Sequence, residues 1–143
     1  MATIKKVIEQ EETILRDIFY AGVEGGIEYW AHINWESYNV KECQVYIWDE
    51  DAGKHYQIDT ATIKLGLLEL NVTYLQFPGY TKAEEGSDVH RLAERVNKYG
   101  SYPFPDQGTM FVDEGLTMDG EGIDAGDADI IIQFALFGEL VYN

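Results

Sequence analysis

One segment constrains this chain more than any other: Ile130-Ile131-Ile132-Gln133-Phe134-Ala135-Leu136-Phe137. It is apolar nearly all round, so it has to be covered on every side. The isoleucines and phenylalanines would also suit a buried strand. The flanks favour a helix. Asp124, Asp127 and Asp129 precede it and Gly138 follows it, which matches the capping and dipole rules at both ends. We therefore expect a central, buried C-terminal helix that starts at a cap on Asp124 or Asp127.

The elements that would surround it are read from period. Ile4, Val7, Ile8, Ile14, Leu15, Ile18 and Phe19 fall mostly on one helical stripe, with a phase slip near Gln10 and Glu11 that allows a break. Gly25-Gly26 is expected to end this helix, with a left-handed cap. Ile27, Tyr29, Ala31, Ile33 and Trp35 then alternate with polar or mixed neighbours, which predicts a strand. Cys43 to Trp48 predicts a second strand, the acidic loop Asp49 to Gly53 a hairpin, and Lys54 to Asp59 its return. Asp59 or Thr60 can cap a helix through Ile63, Leu65, Leu67 and Leu68. Residues 71–80, which contain Pro78-Gly79, read as irregular or short extended structure. A further helix over 87–99 would turn Val89, Leu92 and Val96 inward. The fold class expected is α+β in a single domain over 1–143. It comprises an N-terminal helix, a small antiparallel meander of about three strands, then helices including the buried C-terminal one.

Charge narrows the function classes. The chain carries 26 acids against 10 Lys and Arg, a net charge of −16. Residues 99–143 hold nine of the acids and no Lys or Arg. A nucleic-acid backbone or an anionic membrane would be repelled, so neither is expected as a direct partner. No apolar run reaches the roughly 18–20 residues of a membrane span. No basic-then-apolar leader opens the chain, and a single cysteine, Cys43, excludes an internal disulfide framework. A reducing cytoplasm is the expected setting.

Two stretches resemble a known group. One is Glu24-Gly25-Gly26-Ile27-Glu28-Tyr29-Trp30-Ala31. The other is Ile123-Asp124-Ala125-Gly126-Asp127-Ala128-Asp129, continued by Ile131, Gln133, Ala135, Leu136-Phe137-Gly138-Glu139 and Val141-Tyr142. Together they resemble a widespread group of small tailed-bacteriophage proteins in which a helix leads into a "GG-aromatic-Trp" motif and the chain ends in a "DA…AD…Q…FGE…Y" motif. Lys64-Leu65-Gly66 loosely resembles a helical segment of the same group. The motif positions carried over are Gly25, Gly26, Tyr29, Trp30, Gln133, Phe137, Gly138 and Glu139. The resemblance implies a phage gene product acting in the cytoplasm of an infected bacterium. It brings no catalytic residues with it.

Candidate chemistry lies mainly in the acids. Asp106, Asp113, Glu114, Asp119, Glu121, Asp124, Asp127 and Asp129 fall within 24 residues with no positive charge among them. They read either as solvated loop and helix-capping charge, or as an anionic partner-binding surface that mimics nucleic acid toward a basic cleft. Neither Asp113 nor Asp119 starts an EF-hand register, so no metal is expected, although Asp124, Asp127 and Asp129 could make a weak irregular cation site. His32, His55, His90 and Cys43 lack zinc-pair spacing, and Cys43 reads as a small buried residue. No Walker loop or G-x-G-x-x-G after a strand is present, so no cofactor is expected. Arg91 and Arg95 share a helix face and could clamp a nucleotide, or simply pair with Asp88 and Glu94. Glu24 to Trp30 reads either as close packing around the glycines or as an aromatic docking corner. The ten Tyr and three Trp also suit self-association.

The expectation that follows is a non-enzymatic interaction protein that binds and inhibits a host protein with a basic, nucleic-acid-handling surface, of an anti-defence or host-takeover kind. The alternatives are a nucleotide-binding sponge and an accessory protein with no inhibitory role.

Overall fold

The C-terminal helix is the hub, and its ends are set by the residues that flank it. In the computed structural model, which describes residues 2–76, Val89, Leu92, Ala93 and 124–143, this helix (α3) spans Ala125–Phe137. Asp124 is its N-cap: its carboxylate accepts from the Asp127 amide at 2.8 Å, and the Asp127 carboxylate returns to the Asp124 amide. This reciprocal pair satisfies two amide donors that the first turn leaves open. Residues Ala128 to Phe134 are all buried, polar Asp129 and Gln133 included. Gly138 closes the helix at φ 74°, with its amide donating to Phe134 O. We predict that Gly138→Ala costs about 1 kcal/mol by forcing a Cβ into the left-handed region, read as a lower urea midpoint.

Around α3 sit two helices and a sheet, in an α+β arrangement. Helix α1 (Ala2–Ala21) runs unbroken through Gln10 and Glu11, where the apolar phase slips. Its inner face carries Ile14, Leu15, Ile18 and Phe19. It passes into a π-helical turn, Gly22–Gly26, in place of the expected left-handed cap. The glycine requirement there is space. A Cβ on Gly26 would lie 2.5 Å from Ala125 O at the start of α3, whereas one on Gly25 would make ordinary contact.

The first strand begins later than its alternation suggests. β1 is His32–Asn39. Ile27, Trp30 and Ala31, at spacings of three and four, are the buried residues of the preceding turn, while Tyr29 is exposed. The helical face of Phe19 and Val23 is thus prolonged past the glycines, and the period-two pattern there is incidental.

β2 (Gln44–Asp49) and β3 (Lys54–Ile58) complete an antiparallel meander in the order β1-β2-β3. Val45, Ile47 and Ile58 face the core, and Gln44, Tyr46, His55 and Gln57 face out. The β1–β2 register breaks between Asn34 and Asn39. Within that break the Ser37 hydroxyl accepts from the Tyr46 amide at 2.8 Å and donates to Asn34 O at 2.7 Å, replacing lost ladder bonds. Cys43 is buried in the β1–β2 turn at φ 53°.

Helix α2 (Thr60–Gln76) is capped by Asp59, whose carboxylate accepts from the Thr62 amide at 3.0 Å. It continues helically through 71–76, in place of the irregular or short extended structure expected there, since no Gly or Pro stops it before Pro78. Gly66 lies at its crossing with α3. Val89, Leu92 and Ala93 are helical and buried. The other residues of the expected 87–99 helix, Val96 included, and Pro78-Gly79 lie outside the described residues. No described helix is long and apolar enough to cross a membrane.

A buried carboxylate network and the cleft beside it

Two polar residues four apart on an otherwise apolar helix need partners, and α3 supplies the first from itself. Gln133 Nε2 donates to Asp129 Oδ1 at 2.9 Å. Trp30 Nε1 donates to the same oxygen at 2.8 Å, and Tyr29 OH donates to Oδ2 at 2.6 Å. Gln133 then holds the C-terminal tail. Its Oε1 accepts from the Val141 and Tyr142 amides at 2.9 and 2.8 Å, and its Nε2 also donates to Tyr142 O at 2.9 Å. The Gln133 amide is thereby fully satisfied with no water required. That bonding also fixes which end of the amide is oxygen.

The tail closes the circuit to the sheet. Tyr142 stacks on Trp30 with centroids 5.1 Å apart and planes at 9°. Its hydroxyl donates to the Asp49 carboxylate, 2.9 Å from both oxygens. Asp49 is wholly buried and also accepts from the Ala52 amide, which sets the β2–β3 hairpin. Phe137 packs edge-on against Trp30 and Tyr56.

Most of the carried-over motif therefore converges. Tyr29, Trp30, Gln133, Phe137 and Gly138 join the turn after α1 to α3 and its tail, and Gly26 lets the turn approach α3. Gly25 and Glu139 are exposed. Their shared work is packing and polar satisfaction. The sequence reading missed Asp49 and the part played by Tyr142. The signal for the network was present in the i, i+4 pair Asp129 and Gln133 on an apolar helix.

The eight acids proposed as one surface have separate fates. Asp106, Asp113, Glu114, Asp119 and Glu121 lie outside the described residues, as do His90, Arg91 and Arg95. Asp124 is exposed and caps α3 with Asp127. Asp129 is 6% exposed. Its oxygens are taken by Tyr29, Trp30 and Gln133, so it offers nothing to a partner.

Burial raises the Tyr29 phenol well above its usual 10.0, helped by the bond to Asp129. Tyr142 is pushed up to about 12, first by desolvation and then by its bond to Asp49. A phenol kept protonated in the fold stabilises it fully below pH 10, and the gain is lost as pH rises through the folded value. We predict that stability falls between about pH 10 and 12 and that Tyr142→Phe makes this decline shallower. Denaturant midpoints measured across that range check it, with ultraviolet phenolate titration of both proteins alongside.

Beside the network a cleft of about 360 Å³ opens, lined by Glu28, His32, Glu50 and Asp51 and walled by Trp30 and Tyr142 among others. His32 Nε2 lies 3.0 Å from Glu50 Oε2, and both side chains are exposed. Three carboxylates and no Lys or Arg line it, which suits a cationic group. Among the described residues no three His, Cys, Asp or Glu side chains are placed to share a metal ion. Cys43 lies elsewhere, with its Sγ 3.6 Å from Tyr20 OH and from Val40 O. No family model, curated protein or solved structure matches this chain.

Proposed function

We propose that this is a phage-encoded acidic interaction protein, acting in the cytoplasm of an infected bacterium. It binds and inhibits a host protein whose basic surface handles nucleic acid. One observation carries the reading: acids outnumber Lys and Arg by 26 to 10, a net charge of −16. Within the described residues, the cleft lined by Glu28, Glu50 and Asp51 has no Lys or Arg beside them. A net field of that sign steers a basic partner and repels DNA, RNA and anionic membranes. The phage resemblance supports the host setting.

The test is a pull-down of the tagged protein from bacterial lysate at low salt, eluted by a salt step and identified by mass spectrometry. The expected result is one basic nucleic-acid-handling protein leaving in the salt step. Elution of that protein only under denaturing conditions, or enrichment of neutral and acidic proteins alone, would contradict the reading.

A further inference from the structure

We infer that the basic partner docks on the open face of the sheet and in the adjoining cleft, and that the occupant is an arginine-bearing segment. This inference rests on the interaction reading above and adds its location and chemistry. The register places two rows across the outer face: His32, Trp48 and His55, then Asn34, Tyr46 and Gln57. An open antiparallel face normally alternates to polar outward residues. Here Tyr46 is 51% exposed. Trp48 packs on His55 with ring centroids 4.2 Å apart.

Carboxylates stand at the end of the first row. The contact between His32 and Glu50 brings an acid to the edge of the aromatic face. Glu50 also lines the cleft with Glu28 and Asp51. A guanidinium stacks on aromatic faces and forks onto carboxylates, so one residue type uses both parts of this surface. An ammonium would use chiefly the charge. A second copy is disfavoured as occupant because it brings a further −16 to the same face.

The test uses fluorescence anisotropy with a labelled Gly/Ser peptide carrying three arginines and a counterpart carrying three lysines. The arginine peptide should bind more tightly. Tyr46→Ser and Glu50→Gln should each weaken it about 5-fold, while Glu12→Gln, the same charge change on exposed α1, should shift it less than about 2-fold. Thermal melts of Tyr46→Ser establish that the variant is folded. If Tyr46→Ser binds like the parent and Glu12→Gln weakens as much as Glu50→Gln, binding is diffuse and the docking site is wrong, while the interaction reading survives. If neither peptide binds the parent protein at low salt, the interaction reading falls and the site falls with it.

Discussion

Asp129→Ala is expected to destabilise the protein by about 3–5 kcal/mol, enough to remove much of a typical stability margin. The side chain is small, so little packing volume is lost. The cost comes from donors left behind. The Trp30 indole N–H and the Gln133 amide lose a shared acceptor in a buried site, and Tyr29 OH loses its 2.6 Å bond. Asp129→Asn should cost only about 1–2 kcal/mol. Its oxygen can keep Trp30 and Gln133. Its amide can face Tyr29, whose hydroxyl has a second acceptor, Tyr142 O, at 3.0 Å. Urea unfolding of the three proteins checks the order. Equal losses for Ala and Asn would mean that charge, and not acceptor capacity, dominates at this position.

Gly66→Ala carries the second large effect, and its sign opposes propensity. In a helix interior Ala is favoured over Gly by about 1 kcal/mol. Here a Cβ would stand 2.1 Å from Ile131 O and 2.8 Å from the Ile131 side chain. Backbone cannot yield as a flexible side chain does, so α2 and α3 must separate and uncover their shared apolar face. The net loss should be about 2–3 kcal/mol, a fall in Tm of about 10 °C for a domain of this size. An unchanged or higher Tm would show that the two helices do not cross this closely. Gly25→Ala, with only ordinary contact to Ala125, is the matched control and should be near neutral.

The parts of the fold legible in the sequence were those set by local chemistry. The aspartate cap and Gly138 marked both ends of α3, and the acidic loop ending in Gly53 marked the β2–β3 hairpin. Over residues 27–31 two periods overlap, and β1 begins only at His32. Alternation was visible, but the 3- and 4-residue spacing of Val23, Ile27, Trp30 and Ala31 was the one burial used. Taking 71–80 as one segment extends the break at Pro78-Gly79 back over residues that continue helix α2 to Gln76. The candidate site was less legible. Asp129 looked like its acidic neighbours, and its burial depends on Trp30, 99 residues away. The cleft joins the turn after α1, the β2–β3 hairpin and the tail, segments that no local pattern links. Tyr29 and Trp30 meet α3 at Asp129 and Gln133, a contact that neither stretch of sequence specifies alone.

The most direct test of the interaction reading is the salt dependence of binding to the captured host protein, with duplex DNA as competitor. The reading predicts that affinity falls steeply as salt rises, and that DNA and this protein exclude one another on the partner. An affinity unchanged from low to high salt, or a stable complex holding both DNA and this protein, would contradict it.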